Sequence, residues 1–219
     1  MGIVLLAMGI ATALIIGSYS PDDPSWLAAT DEPAQNLLGR FGAAIASPLY
    51  VISGYGSWGL ALVFAVWGVR LIVHAGEDRA LSRLIFAPIA IALLSVYAST
   101  HAPGAGWLHS FGLGGLFGDT VLGAVLGIAP LDAGLSLKIV SALIGLGSLA
   151  MLSFVLGFDR RELAMIARFL LVGTIVGYDW ILRMLGRGAV ASLRGAQALN
   201  ERRRASQDEE DDWAEPEMP

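Results

Sequence analysis

Few residues of this chain stand where they could do chemistry: three histidines, a lone aspartate inside a glycine run, and one lysine near an apolar stretch. The run "GGLFGDTVLGAVLG", Gly114 to Gly127, invites a phosphate-cradling reading. That reading needs a strand before the glycines and a Lys-Ser/Thr after them, and neither is there. His74, His101 and His109 fall at no helical metal-ligand spacing, so each reads as a loop or interface residue. The chain has no cysteine, which removes thiolate and disulfide chemistry. A proton relay would need further acids within the apolar runs, and Asp119 has none beside it. No phosphate loop, no HExxH, no paired intramembrane carboxylates and no plausibly spaced Ser/His pair occur. No catalytic, cofactor-binding or metal-binding residue is therefore assigned. Asp119 is expected to cap a helix end or to hydrogen-bond to a neighbour.

A second polar cluster, "SYSPDDPSW" from Ser18 to Trp26, breaks off an apolar run that begins at the start of the chain. Pro21 and Pro24 stiffen the exit from that run. Asp23 or Ser25 is placed to cap a short helix through Trp26. Trp26 suits either an anchor at the headgroup level or a contact with a partner.

The elements that position these residues are membrane helices. Hydrophobic residues make up 55% of the chain, and the mean hydropathy is +0.65. A soluble domain is roughly 45–50% apolar even with glycine counted. Four runs are predicted to span: about 2–18, 48–73, 84–100 and 134–158. Each approaches the ~20 residues that a helix needs to cross a bilayer. The first lacks the basic start and small-residue cleavage site of a signal peptide, so it is expected to remain as a span. Pro88 inside the third predicts a mild kink. The segment from Glu32 predicts a surface-lying helix that feeds the second span, with Leu37, Leu38, Phe41 and Ile45 on one face. Gly115 to Ile128 predicts a short apolar helix, re-entrant or interfacial. Gly114/Gly118 and Gly123/Gly127 have spacing that lets helices approach closely, as do Gly9, Ala13 and Gly17, and Ser57, Ala61 and Ala65. Lys138, about a turn inside span four, can snorkel outward.

Basic residues set the orientation. Residues 19–47 hold only Arg40 and residues 101–133 hold none, whereas Arg70, Arg79 and Arg83 flank the turn after span two. Arg160, Arg161 and further arginines follow span four. Both termini are thus predicted in the cytoplasm and the proline turn outside. Residues 161–199 read as an amphipathic helix on the cytoplasmic membrane surface, because their charges gather within about a quarter turn. A fifth span over 163–182 is the other reading. Residues 200–219, basic and then acidic, read as a disordered start of a linker.

Together, "SYSPDDPSW", Asn36, "GRFGA" at Gly39–Ala43 with Gly42 inside it, and the glycine run with Gly114, Gly115, Gly118 and Asp119 resemble the N-terminal four-span domain of the FtsK/SpoIIIE DNA translocases. The resemblance covers about residues 1–160. It implies an all-α membrane anchor in the bacterial inner membrane at the division septum, bound to the lipid bilayer and to divisome membrane proteins, with self-association also open. The family's ATP-driven DNA motor and its DNA-reading module are not in this sequence. ATP, magnesium and DNA contact are thus expected only through modules that the chain lacks. The competing reading is a small multi-span transporter or channel subunit.

Overall fold

The structure, a computed structural model, describes residues 1–107, 109–128, 132–169 and 171–172. Among them every regular element is helical. They divide into two compact units, Met1–Phe158 and a second beginning at Asp159.

In the first unit, α1 (Gly2–Gly17) lies along α3 (Trp58–Ile72). Glycine makes the approach possible. A Cβ on Gly9 would stand 2.6 Å from the Ala65 nitrogen, and one on Gly68 would stand 2.4 Å from the Leu6 nitrogen. In a bilayer, lipid is as apolar as leucine, so helices associate through close packing of small residues. Gly2 meets Ile72 while Gly17 meets Trp58, so the pair is antiparallel. α5 (Ala87–Ser99) and α7 (Ala133–Val155) form a second antiparallel pair, with Tyr97 over Gly145 and Phe86 against Phe154.

Two helical segments are long and apolar enough to cross a membrane, Gly39–Ile72 and Gly134–Val155. A third counts if Glu77–Leu84 and Ala87–Ser99, bent by 55°, form one span. α1 has 16 residues, about 24 Å at 1.5 Å per residue, against a hydrocarbon core of about 30 Å. By length alone it falls short of the crossing expected of it.

Three expectations change. Pro88 was to kink one span mildly. Instead the segment breaks into α4 (Ala80–Leu84) and α5, with Pro88 in the first turn of α5. Proline is tolerated there because the first-turn N–H groups have no intrahelical partner. The helix expected from Glu32 begins at Gly39 as α2 (Gly39–Ser53), and Pro48 lies inside it rather than heading a span. The face that α2 buries carries Gly42, Ala43, Ala46, Ser47 and Tyr50, while Leu37 and Phe41 are exposed. The small residues face the protein and the bulky ones face outward, which suits a lipid surround.

The end of the unit that holds Arg70 and Arg83 is stitched by those side chains. Arg83 donates to the carbonyls of Phe154 (3.0 Å), in the last turn of α7, and Phe158 (3.5 Å), just beyond it. Its guanidinium also lies over the Phe154 ring, and that of Arg70 over Phe158.

The second unit is helical over 160–169 and 171–172. The Asp159 amide donates to the Glu162 carboxylate at 2.9 Å, which satisfies one N–H of the first turn. Most of the expected amphipathic helix (161–199), most of the 163–182 segment, and the tail (200–219) lie outside the described residues.

Candidate functional site

The segments 18–38 and 101–114 meet at the end of the unit opposite Arg70 and Arg83. The first is irregular throughout, and no helix forms through Trp26. Asp23 and Ser25 therefore cap no helix there, and each does something else. Asp23 is only 2% exposed. Its carboxylate accepts from the Gln35 amide (2.7 Å) and the Asn36 amide (3.0 Å), closing the loop on itself. Charge-assisted bonds of this kind are among the stronger ones available to a protein. Ser25 Oγ accepts from the amides of Leu27 and Ala28 and donates to Ser47 Oγ on α2 at 3.0 Å.

Asn36 carries the clasp to α1. Its Nδ2 donates to the Ile15 carbonyl (2.9 Å) and the Ser18 carbonyl (3.2 Å), satisfying acceptors that the end of α1 leaves open. Its Oδ1 accepts from the Leu38 amide. Gly42 is needed beside it, since a Cβ there would stand 2.0 Å from Asn36 Oδ1. Gly39 takes φ +62°, a turn conformation that glycine adopts without strain. Pro21 is exposed and Pro24 half-buried on the same loop. Trp26 is 83% exposed and fixes nothing in the fold.

The glycine run seats α6 (Gly115–Ile128), the apolar helix expected there, against α5. A Cβ on Gly114 or Gly118 would stand 1.9 or 2.5 Å from the Ser95 carbonyl oxygen, so that close approach is used. Gly123 and Gly127 face open space, so the same spacing there packs against nothing among the described residues. Asp119 accepts from Ser99 Oγ (2.7 Å) and from the Gly112 amide (2.6 Å), tying α6, α5 and the preceding loop together.

Between clasp and glycine run lies a cluster that sequence reading missed. Tyr19 after α1, Tyr50 and Tyr55 at the end of α2 and just beyond it, and Trp107, His109 and Phe111 in the loop before α6 pack ring to ring. Tyr19 and Tyr50 are 4.6 Å apart, and Trp107 and His109 also 4.6 Å. Trp107 Nε1 donates to the Phe111 carbonyl at 2.5 Å. Burial raises the Tyr19 phenol, helped by Asp22 and Asp23, and lowers the His109 imidazole from its ordinary 6.5.

Residues 1–162 match the family described as the 4TM region of DNA translocase FtsK/SpoIIIE. The chain belongs to that family. The matched region is the membrane region of FtsK and not its motor. Among similar proteins, a DNA translocase FtsK of Caulobacter vibrioides is 34% identical over 163 residues, covering 71% of this chain and 20% of that protein. One of Azospirillum brasilense is 31% identical over 204 residues, covering 90% of this chain and 31% of that protein. One of Bradyrhizobium diazoefficiens is 35% identical over 124 residues, 56% of this chain and 15% of that protein. The chain thus spans less than a third of the length of these FtsK relatives. No solved structure matches it.

The cluster makes a pH prediction. His109 is neutral more readily folded than unfolded, because burial disfavours its charged form. Above about pH 6.5 both states are neutral and no stability is lost. As pH falls below that value the unfolded chain takes the proton first, so stability declines toward the folded pKa. The thermal midpoint of the full chain in detergent should hold above about pH 6.5 and drop as the pH falls below it. His109→Phe should flatten that part of the profile. An unchanged slope would contradict the assignment.

Proposed function

We propose that this chain is the membrane-anchoring, division-site interaction domain of an FtsK-type DNA translocase. It sits in the bacterial inner membrane with four crossings: α1, the Gly39–Ile72 segment, the bent pair, and α7. Arginine placement sets both termini in the cytoplasm, and the clasp and aromatic cluster outside. No cofactor is required here on this reading. ATP, magnesium and DNA belong to motor and DNA-reading modules like those of longer relatives. The partners are lipid and other division membrane proteins.

The observation that carries the reading is Trp26. A large aromatic side chain stands almost fully in the open, on a loop pinned from beneath by a buried carboxylate and an asparagine. A structural tryptophan would be tucked in, whereas an exposed one on a fixed base is built for contact. Trp26→Ala should cut septal enrichment of a fluorescently tagged chain several-fold in dividing cells while membrane insertion is unchanged. Uniform labelling of the envelope by the unmutated chain would sink the division-site reading. Normal enrichment of the variant would leave Trp26 as a headgroup anchor only.

A further inference from the structure

α7 is held unevenly. Along most of its length it faces outward, and Leu135, Leu143, Leu146 and Leu149 are each more than half exposed. Its end is different. Val155 and Leu156 are buried among Val63, Trp67, Ala87 and Ala90. There the carbonyls that a helix end leaves open find donors. The Phe158 amide donates to the Ser153 carbonyl (3.1 Å) and the Gly157 amide to the Phe154 carbonyl (3.0 Å), with Gly157 at φ +79°. That pair of bonds is the glycine-terminated turn that closes many helices. Two side chains from other helices add to it. Trp67 of α3 donates to the Val155 carbonyl, and Arg83 of α4 to the Phe154 carbonyl.

The contacts continue past the helix. Arg83 also donates to the Phe158 carbonyl at 3.5 Å, and the Arg70 guanidinium of α3 lies 5.4 Å from the centre of the Phe158 ring. The next residue, Asp159, begins the second unit. A cap that serves α7 alone is complete at the Phe158 amide. Holding the Phe158 carbonyl and ring as well grips the chain ahead of the turn that a pull from beyond would peel open.

We propose that the exit of α7, residues 153–158 with Trp67, Arg70 and Arg83 around them, is a joint that passes tension from the protein beyond residue 158 into α3 and α4. The proposal rests on the reading above, in which motor modules like those of longer relatives are attached to this region. A motor that moves DNA while tied to an anchor pulls on the anchor with equal force, and the connection between them carries that force. Lipid opposes extraction of α7 from the bilayer, but it flows and ties α7 to no other helix. The side chains of Trp67, Arg70 and Arg83 make that tie. α3 in turn packs along α1 through Gly9 and Gly68, which brings a further helix under the load. Without Arg83 the same pull would open the Phe158 and Gly157 bonds in sequence and then unwind the last turn.

The full chain has no cysteine, so an introduced one takes a single pulling handle. In a phosphatidylcholine bilayer the full chain is loaded at constant force from Pro219→Cys, beyond the joint, or from Asp31→Cys, on the exposed loop at the other end. With the Pro219→Cys handle, Arg83→Gln should shorten the lifetime of the rupture that frees α7 about tenfold, since it removes hydrogen bonds from a charged donor. Trp67→Phe, which keeps a ring in the core, should shorten it severalfold and serves if Arg83→Gln does not fold. With the Asp31→Cys handle both variants should stay within about twofold of the parent. Asn36→Ala, which loosens the opposite end, should reverse that pattern. Unchanged lifetimes of both variants under load from Pro219→Cys overturn the proposal. So does equal shortening from the two handles, which marks packing that any pull feels. Septal enrichment of a tagged chain is scored separately. If enrichment persists while the lifetimes do not change, the joint alone is lost. If the joint holds while the tagged chain spreads evenly, the division-site reading is what fails.

Discussion

Replacing Asp23 with alanine should open the 19–38 loop and cost about 3–6 kcal/mol. The figure follows from two hydrogen bonds to a charged acceptor, at about 1.5–3 kcal/mol each. The Asn36 amide would be left without that acceptor in a buried site, and the Gln35 amide in a partly buried one. The damage should travel, because Asn36 also holds the Ile15 and Ser18 carbonyls at the end of α1. Limited proteolysis checks this directly: the variant should be cut between residues 26 and 34 where the parent resists, with a lower thermal midpoint. Asp23→Ala and Asn36→Ala together should cost less than the sum of the two, since each breaks the same clasp. Unchanged protease resistance of Asp23→Ala would show that the buried carboxylate is not what closes the loop. Trp26→Ala, by contrast, should leave stability within about 0.5 kcal/mol, as exposed substitutions do. The pair of variants separates the base of the loop from the side chain it displays.

How far the chain could be read beforehand depended on whether the signal was local. α6 was found at its bounds because "GLFGDTVLGAVLGI" is apolar and hemmed by glycine and proline. α7 begins within a residue of the expected start. There Asp132 caps it by accepting from the Gly134 amide, a local side-chain interaction. Pro88 was noticed, but whether it kinks a helix or starts a new one depends on residues 80–87 and on how they pack. Leu37, Leu38, Phe41 and Ile45 read as one face of a surface-lying helix, but which α2 residues meet the protein is not legible from that face alone. In lipid the inward preference of large apolar side chains weakens, and the small residues of α2 are the buried ones. Asp23 and Asn36 stood in the residues that carry the family resemblance, yet their link spans 13 positions and no periodicity encodes it. The aromatic cluster joins residues 19, 50, 55, 107, 109 and 111, so only the fold brings it into being.

At the opposite end, Trp67→Ala should loosen the unit about as much. Trp67 is 1% exposed and sits in a cluster with Val63, Ala87, Ala90, Val155 and Leu156, joining α3, α5 and α7. Its Nε1 donates to the Val155 carbonyl at 2.8 Å. Its ring leaves Gly157 so little room that a Cβ there would stand 3.0 Å from it. Tryptophan to alanine in a core costs about 3–5 kcal/mol. Within a bilayer the transfer part of that cost shrinks, because lipid is as apolar as the core. The cavity and lost dispersion remain, which points to the lower end, about 3 kcal/mol. Trp67→Phe isolates the hydrogen bond: it keeps much of the ring packing and leaves the Val155 carbonyl unpaired, for about 1–3 kcal/mol. Unfolding of the purified chain in detergent should rank parent above Trp67→Phe above Trp67→Ala. If Trp67→Phe equals the parent, the indole N–H contributes nothing and α7 is held there by packing and by Arg83. Arg83→Gln should then be the more damaging change, since the Arg83 guanidinium is what reaches the Phe154 carbonyl.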